Sequence, residues 1–126
     1  MSEVLSTSFN IISVDASGKK FDKVSRFIGK SLDQDIIIEL DYHSDLISID
    51  KGDEIHFVLS FTNEPNDISQ YSYGMNGKLF KIEESQGKNV FYSSFGGLLL
   101  KLDCPNNIFS KVKSGSNCRL FLKRKK

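Results

Sequence analysis

Cys104, Cys118, His43 and His56 are the side chains of this 126-residue sequence best suited to hold zinc. Zinc sites normally draw their ligands from closely spaced pairs. Here no C-x-x-C occurs and the four residues are scattered, so they read as free thiols and as surface or partly buried imidazoles. Carboxylate chemistry fares no better. Asp53-Glu54 and Glu83-Glu84 are consecutive in strand or turn context, and neighbours along a strand point to opposite faces, so neither pair forms a dyad. The motifs G-x-S-x-G, H-E-x-x-H, the P-loop and G-x-G-x-x-G do not occur. Gly74 and Gly77 bracket Met75-Asn76, but no helix follows, so no phosphate cradle is built there. The expectation is a protein without catalytic residues, cofactor or metal.

Two other sets could bind a macromolecule. The stretch from Phe91 to Leu102, FYSSFGGLLLKL, carries a Gly-Gly pair within a dense run of strand-forming side chains. Glycine inside a strand marks a bulge, a bend or a close backbone approach, which makes Tyr92, Phe95, Gly96, Gly97 and Leu98 the expected partner interface. The second set is Tyr73, Lys78, Lys81 and Lys101, with Tyr71 and Tyr92 nearby. Aromatic platforms and bases of this kind bind single-stranded nucleic acid when they share a face.

The elements that must position these residues follow from period-two patterning. Ile36, Ile38, Leu40 and Tyr42 alternate with Asp35, Glu39 and Asp41, and Ile55, Phe57, Leu59 and Phe61 alternate with His56, Val58 and Ser60. Further strands are expected over 8–14, 21–28, 79–83, 90–93, 98–103 and 119–123, with turns at 15–18, 51–53, 64–67, 86–88 and 114–117. The best helical candidate is one short turn over 106–112, with Ile108, Phe109 and Val112 on one side. Eight strands at such spacing imply an antiparallel all-β sandwich or barrel. A closed barrel is favoured because it removes edge strands and gives a Gly-Gly bend a use.

Ten Phe, four Tyr and no Trp imply a Phe-rich core in a single domain spanning 1–126. No apolar run is long enough for a membrane helix. The first basic residue is Lys19, which argues against a secretory or mitochondrial leader. The net charge of +1 is unevenly spread: +2 over residues 1–30, −9 over 31–70 and +8 over 71–126. Acidic and basic segments pairing as neighbouring strands would explain this without a charged partner. Without the terminal run Lys123 to Lys126 the chain is net −3, unlike a protein gripping phosphates along a groove. That run also has the composition of a nuclear import signal.

Three segments, in order, carry a family resemblance: Gly18 to Arg26 (GKKFDKVSR), Tyr73 to Ile82 (YGMNGKLFKI) and Tyr92 to Leu102 (YSSFGGLLLKL), followed by a basic final strand. Together they resemble the small OB-fold subunit common to the eukaryotic nuclear RNA polymerases I, II and III. The sequence departs from that family in a shorter connection at 62–72 and in Gly74 and Asn76, where larger residues are usual. The resemblance implies an eight-stranded antiparallel OB-like barrel with little helix. It implies a non-catalytic structural subunit docked chiefly on the largest polymerase subunit, in the nucleus including the nucleolus, with no direct template contact and no membrane. The reading from a different class is a stand-alone single-stranded nucleic-acid binder using Tyr73, Lys78, Lys81 and Lys101.

Overall fold

Each expected strand forms, in a computed structural model that describes residues 4–16, 18, 21–32, 35–62, 67–106, 108–109 and 112–125. They are β1 (Val4–Val14), β2 (Val24–Ser31), β3 (Ile37–His43), β4 (Glu54–Ser60), β5 (Tyr73–Ser85), β6 (Lys88–Phe95), β7 (Leu98–Pro105) and β8 (Asn117–Lys125). All pair antiparallel and close a barrel in the order β1-β2-β3-β7-β6-β5-β8-β4. No helix forms among the described residues. The expected turn at 64–67 falls largely on residues outside that description, as does part of the short turn expected over 106–112.

Alternation places the apolar set inside. Phe9, Phe27, Ile38, Leu40, Ile55, Phe57, Leu59, Leu79, Leu102, Leu120 and Leu122 are fully buried, and each such side chain contributes roughly 1.5–3 kcal/mol of transfer free energy. Phe9 and Phe57 meet edge to face at 5.4 Å, the geometry preferred by ring quadrupoles. Phe109, also buried, packs edge-on against Phe61 at 5.2 Å and Phe91 at 5.3 Å. Ile47 and Ile49, from the β3–β4 connection, are buried in the same core.

The connectivity repeats itself. β1, β2 and β3 form a meander whose first strand also pairs with β4, and β5, β6 and β7 form a meander whose first strand also pairs with β8. The halves join through β3 with β7 and β4 with β8, both antiparallel, which relates them by a half-turn about an axis across the barrel. Each half carries a bulge at the equivalent place, at Ile12 between Ile11 and Ser13 and at Phe80 between Leu79 and Lys81. A bulge inserts one residue and raises the local twist, which helps a sheet close on itself.

Val58 departs from the expectation of an outer, solvent-facing position. It sits across from Phe121 on the outside of the barrel, and both are buried. Tyr71 lies against this exterior patch, 5.4 Å from the Phe121 ring and stacked at 6.3 Å on His56. Gly74 belongs to the same patch. A β-carbon there would stand 3.0 Å from Phe121 Cδ1, so the ring occupies the space that a larger residue would take.

Candidate partner interface

Gly96 and Gly97 are not inside a strand. They form the two-residue turn joining β6 to β7, between the paired residues Phe95 and Leu98, with φ of 65° and 101°. Positive φ at both central residues is the signature of a type I′ hairpin, whose twist matches that of the flanking strands. A β-carbon on either glycine would meet nothing within 4 Å. The glycines are thus required by backbone conformation, and the bend or close approach expected of a strand interior is corrected to a hairpin tip. The sequence FYSSFGGLLLKL is two strands and their turn.

The hairpin divides the other expected interface residues between two faces. Phe95 points into the core and is buried, and Leu98 packs against the core from the rim. Tyr92 faces outward. Its hydroxyl donates to Glu83 Oε1 at 3.0 Å, and Lys81 Nζ stands 5.3 Å from its ring centroid. Lys81 is also paired with Glu83 at 3.0 Å. The bond from Lys81, then the bond from Tyr92, hold Glu83 below the usual carboxylate range, and the Glu83 carboxylate pushes the Tyr92 phenol up. The register explains the grouping: Lys81 and Lys101 are the cross-strand partners of Tyr92 on its two sides.

Tyr73 does not join this face. It is 6% exposed, accepts the His43 backbone N–H through its hydroxyl at 2.9 Å and directs its own proton to Met75 Sδ at 3.2 Å. A phenol buried this way offers no stacking surface to a base, so the set Tyr73, Lys78, Lys81 and Lys101 is not brought together. Lys78, Lys81 and Lys101 are exposed on β5 and β7, while Tyr71 lies on the exterior patch of β8. The scattered zinc candidates stay apart in character: Cys104 and Cys118 are buried free thiols, and burial pushes Cys104 up to about 12. Among the described residues no group of three His, Cys, Asp or Glu side chains is placed to hold a metal ion.

The uneven charge pairs within the barrel. Asp53 meets Arg124 at 3.4 Å, Glu54 meets Lys125 at 2.9 Å, Asp35 meets Lys88 at 2.7 Å, and β4 runs beside β8 along its length. The basic residues 123–125 are therefore the end of β8, facing the acidic start of β4.

Two features were missed from sequence. Asp41 sits where the β3–β7 ladder ends at Leu40 and Leu100. Its carboxylate accepts the Leu99 N–H at 3.0 Å, taking the place of the next rung, and is gripped by Arg26 through Nε at 2.6 Å and Nη2 at 3.2 Å. The other is Phe80. Two adjacent apolar residues, Leu79 and Phe80, interrupt a period-two run, and that interruption was the available signal for a bulge.

The family described as RNA polymerase Rpb8 matches this chain over residues 6–68 and 60–124, taking in both halves of the barrel. A Caenorhabditis elegans protein, "Probable DNA-directed RNA polymerases I, II, and III subunit RPABC3", is 33% identical over 116 residues, covering 75% of this chain and 77% of that one. A Dictyostelium discoideum protein, "DNA-directed RNA polymerases I, II, and III subunit rpabc3", is 28% identical over 134 residues, covering 93% and 94%. A Schizosaccharomyces pombe protein, "DNA-directed RNA polymerases I, II, and III subunit RPABC3", is 33% identical over 106 residues, covering 81% and 82%. With a match running from the first strand to the last, this chain belongs to the RNA polymerase Rpb8 family.

Proposed function

We propose that this protein is the small, non-catalytic structural subunit shared by DNA-directed RNA polymerases I, II and III, docked chiefly on the largest subunit and supporting assembly and transcription. The observation that carries this reading is the family match over the whole barrel, with relatives named as subunits common to the three enzymes. The architecture is consistent with it. Side chains fill the barrel interior, which leaves the outer sheet faces and hairpin tips for contact with neighbours. The β6–β7 hairpin is the proposed interface, with Tyr92 on its outer face and Phe95, Gly96, Gly97 and Leu98 setting its shape. On this reading the protein acts in the nucleus, including the nucleolus, where the three polymerases would each take it up.

The test is purification of the tagged full-length chain from its own cells at moderate salt. Stoichiometric recovery of large subunits from all three polymerases is expected. Recovery of nucleic acid alone, released by salt, would overturn the reading in favour of a stand-alone binder.

A further inference from the structure

We propose that the outer face of β5 and β6 around Phe80 docks an extended acidic protein segment bearing apolar side chains, contributed by another polymerase subunit. This rests on the function proposed above and adds the surface and the chemistry of its occupant.

The surface begins with the bulge. An inserted residue normally leaves ladder groups unpaired. Here the loop before β8 braces the bulge from the opposite edge of β5: Leu79 N–H donates to the Ser116 carbonyl at 2.9 Å and Gly115 N–H to the Leu79 carbonyl at 2.6 Å, continuing the β5–β8 pairing, while Ser114 Oγ donates to the Phe80 carbonyl at 3.0 Å. The backbone is fixed, and Phe80 is held outward with 51% of its surface exposed. Tyr92 lies beside it, ring centroids 6.3 Å apart, and Leu99, exposed on β7, is diagonal to Tyr92 across the β6–β7 pair. An aromatic anchor on a rigid backbone beside further apolar area is the composition of a protein interface centre.

Charge selects the occupant. Lys78, Lys81, Lys101 and Lys113 are exposed around these side chains on β5, β7 and the bracing loop. Glu83 pairs with Lys81 and Glu39 stands across from Lys101 at the far edge, so these four lysines meet two carboxylates and the excess positive charge lies with Lys78 and Lys113, toward β8. Apolar side chains of a partner would cover Phe80 and Leu99 while its carboxylates meet the lysines. A nucleic-acid strand fits less well. The Lys81 ammonium covers one face of the Tyr92 ring and Phe80 flanks it, which leaves that ring no open platform for a base.

The test places a benzophenone-bearing phenylalanine at position 80 of the tagged full chain, with the same probe at position 12, the equivalent bulge, as comparator. Polymerase is purified from cells after irradiation and the adducts are mapped by mass spectrometry. The expected result is recovery of polymerase with a position-80 adduct on an Asp/Glu-rich segment containing apolar residues. That adduct should be lost in a Lys78→Glu, Lys101→Glu variant whose thermal melt is unchanged. Polymerase recovered with no position-80 adduct, with an adduct on nucleic acid or on a neutral or basic segment, or with an adduct indifferent to the charge reversal, would overturn the inference while leaving the function standing. Failure to recover polymerase at all would overturn the function and the inference with it.

Discussion

Gly77 lies directly against Phe95: a β-carbon on Gly77 would stand 2.5 Å from Cδ2 and 2.8 Å from Cγ of that ring, and would also collide with the Ser94 carbonyl. The equivalent place in the first half has the reverse arrangement. Three residues before the Ile12 bulge stands Phe9, opposite Ser31, where three residues before the Phe80 bulge stands Gly77, against Phe95. One large ring fills each position, supplied by opposite strands. The close approach that the sequence suggested for Gly96-Gly97 belongs to Gly77.

Gly77→Ala should therefore overpack the barrel, costing about 1–3 kcal/mol because the obstacle includes backbone and cannot swing away. Gly29→Ala, whose β-carbon would sit 3.1 Å from Phe9 Cβ, should cost less. Urea unfolding midpoints of the two variants measure the order, and equal losses would contradict it.

At the hairpin tip the constraint is conformational. Gly96→Val places a β-branched residue at φ 65° and should cost at least ~1–2 kcal/mol. Gly96→Asn should cost little, since asparagine tolerates the left-handed region and is favoured in type I′ turns. Thermal denaturation of both variants separates this from a steric role, in which asparagine and valine would be equally harmful.

Asp41→Ala removes the acceptor of the Leu99 N–H and the partner of Arg26 together. The loss should be about 1–3 kcal/mol, dominated by the orphaned part-buried N–H. In a double-mutant cycle with Arg26→Ala, the coupling should be smaller than the loss from Asp41→Ala alone, because the Arg26 side chain is half exposed. Amide exchange at Leu99 should rise in Asp41→Ala and stay low in Arg26→Ala.

His56 gives the pH dependence a direction. Burial, then Lys123 and Lys125, push its imidazole below the ordinary value. A depressed folded value means the unfolded chain binds the proton first as pH falls. The associated stability is complete above the unfolded value of about 6.5 and is lost as pH drops toward the folded one. His56→Gln should flatten the stability–pH curve below neutrality. A slope between pH 7 and 5 unchanged by the substitution would exclude His56 as its source.

The eight strands were legible because a half-buried strand must alternate apolar and polar side chains, and Ile36 to Tyr42 and Ile55 to Phe61 do so openly. Ordered motifs over Gly18 to Arg26, Tyr73 to Ile82 and Tyr92 to Leu102 marked the family. Alternation states which residues share a face of one strand, but not which strand lies beside it. The pairing of Lys81 and Lys101 with Tyr92, the burial of Tyr73, the rung supplied by Asp41 and the crowding of Gly77 by Phe95 all come from register between strands. Register is a long-range property, chosen by closure of the whole barrel. The sequence by itself therefore determined the strands and the family, but not the turn at Gly96-Gly97, which it placed inside a strand. Only the tertiary structure decided which lysines, rings and carboxylates meet on one face, because those contacts join residues brought together by closure and not by proximity along the chain.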